Sequence, residues 1–192
     1  STTWSNAGTP ACSFLFGALN GNGGYVCDIK LLGIEADAPT TQVLNDFCHS
    51  GCHVALISLQ IKSIDALKLA CQRLGLEFRE GQTTYAWFGY FVGYAPLPEG
   101  FTQEDMGHCV HAISVPGANY EVGVVFRDGV YKLLWDSWGS GGLEAALGKD
   151  CNKLRQAYGV EAAKLEAARQ GYSVWETQEE DGAVKLHVML PA

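Results

Sequence analysis

A strand, a turn and a second strand in the middle of the chain constrain the fold most. Two apolar runs, 120–126 and 130–135, are separated by Arg127-Asp128-Gly129. An Asp-Gly pair between two such runs is a strong hairpin signal, because both residues accept the positive φ angles of a tight turn. With a further apolar run at 109–115, the sequence predicts an antiparallel meander of three strands.

The rest of the chain beyond His53 alternates between extended and helical patterns. Ser63 is a suitable N-cap for a helix whose apolar residues recur every three or four positions, and Gly75 is a suitable end. The other predicted elements are strands 54–61 and 76–87, a helix with one apolar face at Leu143, Leu147, Cys151, Leu154 and Tyr158, a second helix from Gly159 to Gln170, and a closing hairpin of 172–178 and 184–190.

These elements predict an α+β fold: a mostly antiparallel sheet with two or three helices on one face and a ferredoxin-like β-α-β start. Residues 1–52 are predicted to form an irregular extension, and residues 53–192 the α+β domain. The extension is rich in Gly, Asn, Ser and Thr, and it contains a single basic residue, Lys30. It has too many large apolar residues for a disordered tail, so we expect it to bind a partner or the parent domain.

Charge and hydropathy limit the function classes. The 192 residues carry a formal net charge of -8, which argues against nucleic-acid binding and against polybasic membrane attachment. The longest apolar stretch, 85–98, is shorter than the roughly 20 residues of a membrane helix and is interrupted by Gly and Pro. We therefore expect no transmembrane span. Seven cysteines without an even framework favour a reducing compartment.

Two groups of residues resemble metal ligands. One is Cys48, His49, Cys52 and His53, and the other is His108, Cys109 and His111. The first has Cys-x3-Cys spacing rather than the paired Cys-x2-Cys of zinc knuckles, so inert thiols are the preferred interpretation. A Cys nucleophile with a His base has no local signature here. No catalytic residue, metal or cofactor is therefore predicted.

Acidic residues offer two further candidates. Glu176, Glu179, Glu180 and Asp181 form an acidic turn that could hold a cation or meet a basic partner, although a solvated hairpin tip explains it better. Asp136 lies between Trp135 and Trp138, where apolar surroundings could raise its pKa. A strand end among core aromatics is the preferred interpretation.

Aromatic residues supply the predicted contact surface. Tyr, Trp and Phe are typical anchors of protein interfaces, although the aromatic stretch that begins at Tyr85 could equally cover the sheet from within. The predicted partner-binding residues are Trp4, Phe14, Phe16, Tyr25, Trp87, Phe88, Tyr90, Phe91 and Tyr94.

Several motifs together resemble one known family, the hypothetical chloroplast reading frame 35 family of cyanobacteria, plastids and some phages. They are the segments 54–78, 119–126, 128–131, 136–139, 154–158 and 179–182. The resemblance covers about residues 53–192. The long N-terminal extension and the aromatic loop depart from the short members of that family. The family has no assigned activity, so the resemblance implies a photosynthetic setting and no catalytic residue.

The resemblance leads to one expected function and two alternatives. We expect a noncatalytic, peripheral subunit of a thylakoid complex in the plastid, with photosystem I on the stromal side as the favoured complex. Its partners would be protein subunits of that complex, and its role to stabilise assembly or antenna and subunit contacts. The first alternative is a soluble plastid assembly or regulatory factor. The second is an enzyme that binds a metal or a small molecule.

Overall fold

A computed structural model describes residues 12–16, 26–31, 61–89, 97, 100–136, 139–180, 182 and 184–189, with 12–16 and 26–31 described by their backbones alone. The strands are β1 (Cys12–Phe16), β2 (Val26–Leu31), β3 (Glu77–Glu80), β4 (His111–Ser114), β5 (Glu121–Arg127), β6 (Val130–Leu134), β7 (Ser173–Gln178) and β8 (Val184–Met189). The α-helices are α1 (Ile64–Leu74), α2 (Leu143–Leu147) and α3 (Asn152–Arg169).

The strands form two antiparallel sheets, in the orders β1-β2-β8-β7 and β3-β4-β5-β6. The predicted α+β class with antiparallel pairing is confirmed, but the strands are divided between two sheets rather than joined in one. By its contacts the chain separates into two compact units, Ser1–Ala70 with Asn152–Ala192, and Cys71–Cys151. The division falls within α1.

The N-terminal extension contains regular structure, which corrects the prediction of an irregular segment. Strand β1 pairs with β2, and β2 pairs with β8, so that Val26 lies opposite Met189 and Leu31 opposite Val184. Both strands are short, and β8, which holds β2 in the sheet, lies far away in sequence, so local patterns did not reveal them. The predicted domain boundary between residues 52 and 53 lies outside the described residues. So does the predicted strand 54–61 except Ile61, and with it the ferredoxin-like start.

The sheet β3-β4-β5-β6 contains the predicted meander. Arg127 pairs with Val130, which leaves Asp128 and Gly129 as the two loop residues, with φ angles of 54° and 78°. This is the conformation of a type I′ turn, so the predicted hairpin is confirmed. The predicted strand 76–87 is shorter than expected, because β3 ends at Glu80 and the chain then leaves the sheet.

The helix α3 lies against the other sheet, where it contacts β2, β7 and β8. The predicted break at Gly159 is wrong, since α3 continues through this buried residue. The break lies earlier, at Gly148 and Cys151, whose φ angles are positive. Most of the buried residues of α3 are small, which allows close approach to its neighbours: Ala157, Gly159, Ala162, Ala163 and Ala167.

No helix in the described ranges combines the length and the apolar character needed to cross a bilayer.

Candidate functional site: the strap over the meander sheet

Residues 82–88 cross one face of the sheet β3-β4-β5-β6, and we call this segment the strap. The register aligns Arg79, Ala112, Gly123 and Leu134 across the four strands. Because alternate side chains of a strand share a face, these four residues mark one face of the sheet. We call it the strap face and the other one the opposite face.

Glu121 of β5 fastens the strap. One oxygen of its carboxylate accepts a hydrogen bond from the Arg79 guanidinium at 2.8 Å. The other accepts from the Gln82 amide at 3.0 Å and the Ala86 N–H at 2.9 Å. The Glu121 N–H in turn donates to the Ala86 carbonyl at 2.9 Å. With only 13% of its side chain exposed, Glu121 supplies the bonds that a neighbouring strand would otherwise provide.

The strap presses the ring of Tyr85 onto Gly123. A Cβ atom on Gly123 would lie 2.6 Å from Tyr85 Cε1, so only glycine fits beneath this ring. Tyr85 is buried in a cluster with Phe101, Ala112 and Leu134. Burial raises the pKa of its hydroxyl. Tyr85 is therefore a core residue, which supports the interpretation of its segment as a cover for the sheet.

Trp87 and Phe88 point into different environments. Trp87 is half-buried and packs against the cluster that contains Tyr85. The Phe88 N–H donates to an Asp136 oxygen at 3.1 Å, yet the Phe88 residue is 38% exposed. Of the predicted partner-binding residues whose burial the structure describes, Phe88 is thus the exposed one. Phe14 and Phe16 lie on β1, where only the backbone is described, and the others lie outside the described residues: Trp4, Tyr25, Tyr90, Phe91 and Tyr94.

A β-bulge at the start of β4 turns Cys109 toward the strap. The Val110 N–H donates to the Val124 carbonyl at 2.8 Å, while His111 is the register partner of Val124. Val110 and His111 therefore both lie opposite Val124. This extra residue turns the preceding side chain, that of Cys109, toward the strap. The Cys109 thiol donates to the Gln82 carbonyl at 3.2 Å, and burial raises its pKa to about 11. This thiol holds the strap and is a poor nucleophile.

The second candidate metal cluster does not converge. His108 is exposed, Cys109 is bound to the strap, and His111 Nδ1 accepts the Gly81 N–H at 2.9 Å. Within the described ranges, no group of three His, Cys, Asp or Glu side chains is placed to hold a metal ion. The other candidate cluster, at Cys48, His49, Cys52 and His53, lies outside those ranges.

Arg127 contributes a second fastening that the sequence did not suggest. Its guanidinium bonds Asp105 at 2.6 Å, also donates to the Gly100 carbonyl, and lies 4.1 Å from the centre of the Phe101 ring. The pKa of Asp105 is lowered, first by the Thr102 N–H and further by Arg127. These contacts hold the loop 100–106 against the end of β5.

In the unit that contains α3, two motif residues also bind backbone. The Tyr158 hydroxyl accepts the N–H groups of Lys62 at 3.0 Å and Ser63 at 3.2 Å. Ser63 Oγ accepts the Ala66 N–H at 3.1 Å, which confirms the predicted N-cap of α1. The Gln156 amide donates to the Gly182 carbonyl at 3.1 Å. Both residues therefore fix the ends of neighbouring segments.

The acidic turn is largely neutralised by lysines. Glu176 pairs with Lys164 at 3.3 Å and Glu179 with Lys185 at 3.2 Å, whereas Glu180 is exposed. Asp181 lies outside the described residues. The pairs favour a structural role for Glu176 and Glu179.

No protein-family model matches this chain, and neither the curated proteins nor the solved structures contain a match. The contacts nevertheless explain why the motif residues are what they are. Tyr120 packs on Gly141, Glu121 and Asp136 fasten the strap, and Gly123 lies beneath Tyr85. These motif residues therefore have structural roles: they hold the strap and the neighbouring loops in place.

Proposed function

We propose that this protein is a noncatalytic, protein-binding subunit. The observation that carries the proposal is the presentation of Phe88. The residue is 38% exposed, while its backbone is held by Asp136 and the strap before it is held by Glu121. An exposed aromatic side chain on a fixed backbone loses little entropy on binding, which is what an interface anchor requires.

The reactive side chains near the strap support the same proposal, because they already serve the fold. The Cys109 thiol binds a carbonyl, the Glu121 carboxylate accepts hydrogen bonds from three residues, and the Tyr85 ring covers Gly123. A group that acts as a nucleophile or a general base must be reachable by a substrate. These groups instead stabilise the surface on which Phe88 lies.

The setting that we propose follows from the family resemblance and from charge. We infer a peripheral position on the stromal side of photosystem I, in the plastid, where the protein stabilises contacts between subunits. A formal net charge of -8 suits a partner surface that is basic, because complementary potentials speed association and suppress wrong partners.

Native separation of solubilised thylakoids, followed by mass spectrometry of each pigment band, tests this proposal. We expect the wild-type chain to comigrate with photosystem I and Phe88→Ala to be depleted from that band. Trp175→Ala is the matched control, since Trp175 is also an exposed aromatic residue (42%) but belongs to the other compact unit. A wild-type chain found only in the soluble fraction would refute the proposed setting.

A further inference from the structure

Four aromatic rings form a row on the opposite face of the sheet β3-β4-β5-β6. The ring centres of Phe78 and His111 are 5.3 Å apart, those of His111 and Tyr131 6.2 Å, and those of Tyr131 and Phe126 4.9 Å. The four residues come from four strands, and we call them the ring row. Phe126 is 52% exposed, and the other three are half-buried. The row is therefore an aromatic surface that is most open to solvent at Phe126.

Two polar groups within the ring row are hydrogen-bond donors. Since His111 Nδ1 accepts the Gly81 N–H, the neutral imidazole carries its proton on Nε2. The Tyr131 hydroxyl has no hydrogen-bond partner among the residues that the structure describes. A ligand with free carbonyl groups would satisfy both donors while it packs on the rings.

Charge is segregated between the two faces of this sheet. The basic residues of its strands lie on the strap face: Arg79, where it bonds Glu121, Arg127, where it bonds Asp105, and Lys132, which lies near Phe101. The ring row has one acidic neighbour that is exposed, since Asp128 lies in the hairpin loop between Phe126 and Tyr131. A cationic side chain of a ligand on the row can pair with this carboxylate.

We propose that the ring row binds a proline-rich peptide segment that carries Arg or Lys. A polyproline helix has no internal hydrogen bonds, so its carbonyl groups are free to accept from Tyr131 and His111. Its proline rings pack against aromatic side chains, and its rigid conformation costs little entropy to bind. A basic residue beside the prolines pairs with Asp128. This surface lies on the face opposite the strap, and the inference holds whether or not the protein belongs to a photosynthetic complex.

Fluorescence anisotropy with the full chain and a labelled polyproline peptide that ends in arginine tests the inference. We expect Phe126→Ala to weaken binding about tenfold or more, as for an interface anchor. Tyr131→Phe should weaken it about fivefold, because it removes the hydroxyl and keeps the ring. Asp128→Asn should weaken it about threefold and reduce its dependence on salt.

Three controls make the result decisive. Trp175→Ala should bind as wild type does, and the same peptide ending in glutamate should bind more weakly. Near-ultraviolet circular dichroism should show that Tyr131→Phe is folded. The inference is overturned if the wild-type chain does not bind the peptide, if Tyr131→Phe and Phe126→Ala bind as tightly as wild type, or if a Gly-Ser peptide ending in arginine binds equally well. Those outcomes leave comigration with photosystem I unaffected, so the two proposals fail separately.

Discussion

The sheet β3-β4-β5-β6 is covered on one face by an extended strap, whereas the sheet β1-β2-β8-β7 has the helix α3 against it. A helix satisfies its own backbone groups, so α3 needs only a small, apolar buried face. The strap shares backbone hydrogen bonds with residues 107–109 and with Glu121, but side chains of the sheet must satisfy the N–H groups of Ala86 and Phe88. Glu121 and Asp136 do so.

This difference explains which parts of the sequence are conspicuous. A cover fastened by side chains requires particular residues at particular positions, such as Glu121 for its acceptors and Gly123 for its lack of a side chain. A helical cover is satisfied by a pattern, which many residues can provide. The segment 119–126 therefore stands out as a motif, while the alanines of α3 do not.

The largest expected effect comes from a cavity beneath the helical cover. Leu186 is fully buried, and its register partner on β7 is Glu176. Because the Glu176 carboxylate bonds Lys164 of α3, Glu176 and Leu186 lie on the side of the sheet that faces α3. Leu186→Ala should lower the free energy of unfolding by about 3 kcal/mol. Chemical denaturation measures this, with the exposed Glu180→Ala as a control. An effect below that of the control would mean that α3 does not depend on this packing.

Beneath the strap, we expect a clash to be the most damaging change. Gly123→Ala places a methyl group against the Tyr85 ring and should destabilise the protein by about 2 kcal/mol. Gly139→Ala is the matched control, because a Cβ atom there meets nothing within 4 Å. Equal unfolding midpoints for the two variants would contradict the contact between Tyr85 and Gly123.

The fastening itself can be weakened without a change of size. Glu121→Gln replaces an acceptor oxygen with an amide donor that faces other donors. It should lower the free energy of unfolding by about 1.5 kcal/mol. Hydrogen exchange at Ala86 should become faster. Glu77→Gln is the control, because Glu77 also bonds Arg79, at 3.1 Å, but is exposed. Unchanged exchange at Ala86 would show that the strap does not depend on the Glu121 carboxylate.

Tyr158 shows that α3 also carries side chains that bind the backbone of neighbouring segments. Tyr158→Phe removes the acceptor for the N–H groups of Lys62 and Ser63. It should lower the free energy of unfolding by about 1 kcal/mol. The loss should appear as faster hydrogen exchange in the first turn of α1. If exchange there is the same in both proteins, Ser63 alone is sufficient to cap the helix.

The smallest expected effect concerns acid pH. The pKa of Asp105 is lowered in the folded protein, first by the Thr102 N–H. A lowered folded pKa gives stability that is present above the unfolded pKa, near 3.9, and is lost as pH falls through the folded value. Thermal unfolding at pH 7 and pH 3 should therefore show a smaller drop in Tm for Asp105→Asn than for wild type. An equal drop would contradict the role of Asp105.

The sequence predicted what local patterns control. The Asp128-Gly129 turn, the Ser63 cap and the antiparallel meander follow from neighbouring residues, and they are confirmed. The two sheets were not predicted, since the pairing of β2 with β8 joins segments that are far apart in sequence.

At the candidate site, Phe88 was predicted as a contact residue, but the strap and its fastening by Glu121 were not. A carboxylate that accepts hydrogen bonds from backbone looks the same in a sequence as one that faces water. Cys109 could not be placed either, because the bulge at Val110 reverses the alternation on which such a prediction depends.

The pairing of β2 with β8 also sets an order of events during synthesis. Roughly 150 residues separate Leu31 from Val184, which correspond to roughly 8 to 30 s of translation. The unit Cys71–Cys151 is a continuous stretch of chain and can fold before translation of the chain is complete. Residues 26–31 can pair with β1 early but must wait for β8, and during that interval their other edge is a natural target for chaperones.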